Sequence, residues 1–187
     1  MIETNDFRVG SVFEMEGKLL SIVSVEHIKL ARAGAVIKAK LRNVRDGSIF
    51  EHSFRSGEKF KAVRIEKSEA TYLYAEGTFH HFMDSTTYDQ IALDRSQVAD
   101  VLPFLKEGNS VNVLRYRESV IGVELPVTVD LAVAETEPGV RGDTVSGATK
   151  PARLETGATA QVPLFINQGD RIRVDTRTGQ YVERVSG

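Results

Sequence analysis

Residues 27–42 read HIKLARAGAVIKAKLR and hold Lys29, Arg32, Lys38, Lys40 and Arg42 without a single acid. Cations at this density suit one chemistry above others, the binding of phosphates. Lysine ammonium groups neutralise a phosphate backbone as point charges, and a guanidinium offers a planar fork of donors that also stacks on bases. The types alternate along the second half of the stretch. Ile37, Ala39 and Leu41 fall on one face of an extended chain, and Lys38, Lys40 and Arg42 on the other. The apolar face can pack on a barrel while the cationic face lies along a nucleic acid. A solvated edge strand, whose lysines prevent edge-to-edge pairing, accounts for the same alternation. The tip shifts the balance. KLARAG between two strands is a loop of several residues, so it projects, and Ala31, Ala33 and Gly34 keep it narrow around Arg32. A guanidinium on so thin a stem enters clefts closed to a bulkier loop. Projection, narrowness and the lack of an acid within the stretch together favour contact with RNA.

Other residues that could do chemistry do not converge. With no cysteine in the chain, disulfides, thiolate nucleophiles and cysteine-ligated zinc are excluded. The sequence lacks a P-loop, a G-x-G-x-x-G turn and a G-x-S-x-G elbow. His80 and His81 sit side by side in a predicted strand and therefore point to opposite faces, which prevents a shared metal. Asp84, Asp89 and Asp94 lack the glycine and terminal glutamate of a calcium loop and read as solvated acids. The tripeptide at 141–143, RGD, reads as coincidence. In TYLYAEGTFHHFMD, Tyr72, Tyr74 and Phe82 share one parity and Phe79 has the other, and the expectation for these aromatics is core packing rather than base stacking. No catalytic residue, metal ligand or cofactor is expected.

The elements that must position the basic stretch are strands. Short runs of Val, Ile, Leu, Tyr and Phe are separated by Glu16-Gly17, Asp46-Gly47, Glu76-Gly77, Glu107-Gly108, Gly169-Asp170 and Thr178-Gly179. A weak helical period runs through 96–105 and is limited by Pro103. Residues 138–152 read as one long loop. The 41% hydrophobic content supports buried cores, and the frequency of turns favours several small barrels over one large sheet. Charge divides the 187 residues into three. Residues 1–65 carry +4, residues 66–126 carry −5 and residues 127–187 carry −1, which sums to the net −2. Domain boundaries are therefore expected near 65 and 126. The N-terminal MIETNDFRVG has neither the basic nor the apolar region of a signal peptide, and no apolar run approaches the roughly 20 residues that span a bilayer, so a cytoplasmic location is expected.

The chain resembles the bacterial elongation factor P family over essentially its whole length. NDFRVG, the basic loop with one cation at its tip and TYLYAEGTFHHFMD carry part of the resemblance. The C-terminal third carries most, through Lys150, Ala152, Gly157, Val162, Pro163 and Gly169, with Ala160 standing where a larger aliphatic residue is usual. The resemblance implies an all-β fold of three small barrels in an L-shaped arrangement: an SH3-like (KOW-like) first domain and two OB-like domains. It implies a monomer that binds the ribosome beside the peptidyl-tRNA from the exit-site side and relieves stalling at consecutive prolines. It puts Arg32 at the acceptor end of that tRNA, with Lys29, Ala31, Ala33, Gly34, Lys38, Lys40 and Arg42 along the loop and the RNA backbone. It puts Gly142, Asp143 and Thr144 near the exit-site codon. Many relatives have a modified lysine at the tip and others a rhamnosylated arginine; here Leu30 and Ala31 replace the Pro-Gly of those forms, and an unmodified Arg32 is the expectation. The alternatives are an elongation factor P-like paralogue, toward which VELPVTVDL leans and away from which GDTVSG leans, and a free-standing OB-type RNA-binding module.

Overall fold

Alternating apolar and polar residues, interrupted by glycine turns, give sixteen strands among the described residues. The structure, a computed structural model, describes residues 1–30, 34–139 and 147–186. The fold is all-β, as the sequence indicates. The chain divides into two compact units, one of Met1–Ser68 with Val113–Gly122 and one of Glu69–Asn112 with Val123–Gly187.

The first sheet contains β1 (Ile2–Glu3), β2 (Val12–Met15), β3 (Lys18–Leu30), β4 (Gly34–Asn43), β5 (Ile49–Arg55) and β6 (Lys59–Ala62) in the order β1-β6-β2-β3-β4-β5. Its core combines aromatic and aliphatic side chains. Phe7 and Phe13 stack with centroids 4.9 Å apart, and Phe54 meets Phe7 edge-on at 5.3 Å. Leu20, Ile22, Ile37, Ala39 and Leu41 complete the buried cluster. Thr4, itself buried, fastens the N-terminus: its hydroxyl donates to the Arg55 carbonyl at 2.8 Å and accepts from the Gly57 N–H at 3.0 Å.

A second sheet is formed by β7 (Glu66–Glu76), β8 (Phe79–Asp84), β9 (Gln90–Asp94), β10 (Ser110–Tyr116) and β11 (Ser119–Glu124). The weak helical period of the sequence resolves into α1 (Arg95–Val98) and a 3-10 turn at Leu102–Phe104. Asp94 caps α1 by accepting from the Ser96 N–H, and Gln97 reaches back to the Asp94 N–H.

The third sheet contains β12 (Thr128–Thr136), β13 (Thr149–Leu154), β14 (Thr159–Pro163), β15 (Arg171–Asp175) and β16 (Tyr181–Val185) in the order β14-β13-β12-β15-β16. Its core holds Leu131, Leu154, Val162, Ile166, Ile172 and Val174. Ala160 is buried there opposite Ala152, so the family departure is a change inside the core. The long loop expected at 138–152 ends earlier, because β13 starts at Thr149. Pro151 hid that strand. It lies one residue beyond the last β12 partner of β13, where its missing N–H breaks no β12 pairing, and its carbonyl accepts from Thr136 Oγ1 at 3.0 Å. Within the second unit, Lys106 reaches Glu155 at 3.0 Å, Thr156 Oγ1 donates to the Pro103 carbonyl, and Phe104 packs on the third sheet's core.

Candidate nucleic-acid interface

The basic stretch covers the end of β3 and nearly all of β4. β4 is the inner strand, paired with β3 from Leu20↔Asn43 to Leu30↔Gly34 and with β5 from Val36↔Arg55 to Arg42↔Ile49. β2 pairs with β3 only as far as Ser21. From Ser24 onward β4 is the one strand paired with β3 among the described residues, and Gly34 and Ala35 run past the last β5 pair. The hairpin end outreaches its sheet, and three residues, 31–33, separate the strands. The several-residue loop expected at KLARAG is thus shorter, because Lys29 and Leu30 are still paired. Gly34 sits at φ +82°, a backbone conformation that glycine takes without the steric cost a Cβ would add. Ala31, Arg32 and Ala33 lie outside the described residues.

The alternation in β4 is realised. Ile37, Ala39 and Leu41 are buried, Lys38 and Lys40 are exposed, and Arg42 is half-buried. The β4–β5 turn fixes this register: Asn43 Nδ2 donates to Asp46 at 2.9 Å, and Asp46 accepts from the Ser48 N–H at 2.9 Å. The same register brings acids the stretch itself lacks. Glu26 stands opposite Lys38, Glu51 stands opposite Lys40, and Lys38 Nζ lies 3.5 Å from Glu51. Both members of that pair are exposed, so it holds Lys38 only weakly. Among the described residues Lys29 and Lys40 have no ion pair within 4 Å. Lys38 and Lys40 thus line the outer face of β4, while Lys29, paired with Ala35, stands exposed near the hairpin end on the other face, and all three lysines can neutralise phosphates.

The remaining expected positions fall elsewhere. Gly142, Asp143 and Thr144 lie outside the described residues. Lys150 of the C-terminal motif is buried and donates from Nζ to the Glu137 carbonyl at 2.5 Å, near the start of the segment that holds them. His80 and His81 do point apart. His80 is buried and shares a 3.1 Å hydrogen bond with Tyr72 Oη, while His81 stacks on Tyr74 and lies 3.6 Å from Glu76. Burial, and then the Arg95 cation, push the His80 imidazole below the ordinary histidine range; burial raises the Tyr72 phenol. No group of three or more metal-ligating side chains occurs among the described residues. No described helix is long and apolar enough to cross a membrane. One position that strand parity misplaces is Tyr74. A register shift between Tyr72 and Tyr74 turns it to the outer face, so Tyr72 and Phe82 are buried while Tyr74 and Phe79 stand exposed.

Comparison with known proteins decides the family. A KOW-like domain model of elongation factor P (EF-P) matches residues 3–60, its OB domain model matches 65–123, and its C-terminal domain model matches 129–184. Elongation factor P of Pelotomaculum thermopropionicum is 47% identical over 99% of this chain and 100% of its own length. The chain belongs to the elongation factor P family. Elongation factor P of Coprothermobacter proteolyticus is 50% identical over 99% of this chain, and that of Natranaerobius thermophilus is 48% identical over 100%, each along its full length. A translation initiation factor 5A structure from Methanococcus jannaschii aligns with 65% of this chain and 94% of its own at 18% identity and a TM-score of 0.47. The chain is a translation elongation factor, and its role is ribosome-associated. Three elongation factor P models in order along the chain agree with a KOW-like domain followed by OB-type β domains, and not with a lone OB module.

Proposed function

We propose that this elongation factor binds between the peptidyl and exit sites of the ribosome and stimulates peptide-bond formation at consecutive prolines by ordering the acceptor end of the peptidyl-tRNA. The observation that carries the reading is the β3–β4 hairpin. It outreaches its sheet, presents Lys29, Lys38 and Lys40 to solvent, and leads directly into Arg32. Lys29, Lys38, Lys40 and Arg42 follow the RNA backbone, and Ala31, Ala33 and Gly34 keep the tip narrow. Arg32 acts without a modification, as a donor fork and stacking plane against the tRNA end. Three domains, at 1–65, 66–126 and 127–187, divide the work, with Gly142, Asp143 and Thr144 of the third beside the exit-site codon.

The physics needs no catalytic group. Proline constrains both its own backbone and the residue before it. Peptide-bond formation between prolines then fails through misplaced reactants, and a factor that orders one of them acts through proximity alone. The protein accordingly works as a cytoplasmic monomer, without metal or cofactor. The acidic charge of residues 66–126 does not oppose RNA binding at the hairpin, because the Debye length is only about 8 Å at physiological salt.

The test is a reconstituted translation reaction on a Pro-Pro-Pro template. Wild type accelerates synthesis, and Arg32→Ala, with an unchanged circular dichroism spectrum, loses at least about tenfold of that acceleration. Equal rates with mutant and wild type would overturn the role of Arg32. No acceleration by wild type would overturn the function.

A further inference from the structure

The third sheet carries an aromatic that the fold does not use. Phe165 is 57% exposed, yet it sits in a turn flanked by core residues. Before it, Val162 is fully buried, and after it, Ile166 is fully buried in the core. The Ile166 N–H donates to the Pro163 carbonyl at 3.1 Å, closing the turn around the intervening residues. Asn167 continues it, donating from its N–H to Asp170 at 2.9 Å. Phe165 is thus held outward by its neighbours and gains little from burial itself.

Its ring has a cationic companion. The Arg184 guanidinium carbon lies 5.6 Å from the ring centroid. Arg184 comes from β16, lies 4.0 Å from Asp170, and keeps its side chain 54% exposed. An outward aromatic with a solvent-facing guanidinium over its ring matches the surfaces on which single-stranded nucleic acids stack their bases. The cation suits an RNA strand, whose phosphates accompany every base, better than an apolar peptide.

We propose that Phe165 and Arg184 form a stacking platform for one unpaired RNA base. The backbone nearby adds a location. At Gly139 a Cβ would stand 2.6 Å from the Leu164 carbonyl, so the chain passes hard against the Phe165 turn on its way to residue 140. This placement rests on the proposed function, which sets Gly142, Asp143 and Thr144 beside the exit-site codon. The base then belongs either to the messenger or to the ribosomal RNA around it. Stacking is tolerant of sequence, so the platform reads an unpaired base rather than a particular one.

The protein has no tryptophan, so Phe165→Trp creates a single reporter at the platform. Titrating this full-length variant with a ten-nucleotide single-stranded RNA gives saturable quenching. A duplex RNA of the same composition and heparin both leave the emission unchanged. Arg184→Gln in the same background weakens the single-strand affinity by roughly fivefold. Phe79→Trp, an exposed aromatic of the second sheet, shows no quenching. Absence of quenching at residue 165, or equal quenching by heparin, overturns the platform. Phe165→Leu keeps the apolar contact with its turn and leaves the thermal midpoint unchanged. On ribosomes it loses one base protection from dimethyl sulfate, and whether that base lies in messenger or ribosomal RNA identifies the source; an unchanged footprint again overturns the proposal. The tryptophan titration uses no ribosome. Failure of the translation assay therefore does not decide it, and the two readings fail separately.

Discussion

The β3–β4 and β7–β8 hairpins are built alike and face the solvent with opposite chemistry. Each is antiparallel, and each contains one register shift, between Ile22 and Ser24 in β3 and between Tyr72 and Tyr74 in β7. The first presents Lys38 and Lys40 on the outer face of its inner strand. The second presents Tyr74, Phe79 and Glu76, with His81 half-buried against them. The charge totals follow the same division, +4 over residues 1–65 and −5 over residues 66–126. A hairpin frame is therefore neutral toward function. What distinguishes these two is which residue types the pleat turns outward.

The comparison is broken most severely from the inside, where the hairpins should behave alike. Phe82→Ala removes a fully buried ring, and Leu41→Ala a fully buried aliphatic side chain. Losses of about 3–5 kcal/mol for Phe82 and about 2–5 kcal/mol for Leu41 are expected. Urea unfolding followed by circular dichroism gives the size. Peptide-resolved hydrogen exchange gives the place, with protection lost around each substituted strand. If either variant kept the wild-type midpoint, the inner-face assignment of that hairpin would be wrong.

The same contrast explains what could be read from the sequence. In β4 no register shift interrupts the pairing with β5, so simple parity puts Ile37, Ala39 and Leu41 inside and Lys38 and Lys40 outside. In β7 the shift lies between two of the aromatics being assigned. Parity then correctly sends Tyr72 and Phe82 inward but wrongly adds Tyr74, since nothing local marks a bulge without glycine. Pro151 misleads in the other direction. Proline usually denies a strand, but at the end of the β12 ladder its missing N–H breaks no β12 pairing. Glu51 was invisible as a partner for Lys38 because cross-strand pairing is not written in either strand alone. The Phe165–Arg184 pair escapes notice for the same reason, as its members are 19 positions apart and meet only when the third sheet closes. Alternation and turn residues are local signals; partners across a barrel are not.

Outside charge supplies the next and smaller effect. Lys38→Glu with Lys40→Glu removes two candidate phosphate contacts and leaves the buried face intact. Ribosome affinity at physiological salt falls by roughly tenfold or more, and the slope of log affinity against log salt decreases in magnitude by about 1.4–1.8. Loss of the exposed Lys38–Glu51 pair does not account for such a change. The matching reversal on the other hairpin, Glu76→Lys, alters affinity by less than about twofold. Sedimentation with ribosomes between 50 and 200 mM salt, taken as the working range, measures both. Comparable losses from the two hairpins would remove the functional distinction between them.

The smallest effect concerns a group that only the second hairpin buries. His27 and His52 of the first sheet are exposed, whereas His80 is enclosed, bonded to Tyr72, and held below the ordinary histidine range by burial and by Arg95. The unfolded chain, with an imidazole near 6.5, therefore takes up a proton before the folded one does. Stability linked to His80 is fully present above about pH 6.5 and declines as pH falls from there toward the lower folded value. His80→Gln retains a polar partner for Tyr72 but cannot titrate. Its unfolding midpoint should lie slightly below wild type at pH 7.5, with a shallower fall between pH 6.5 and 5. Parallel curves for wild type and His80→Gln over that interval would mean that enclosing His80 does not exclude its charge, and the hairpins would then differ only in their outer faces.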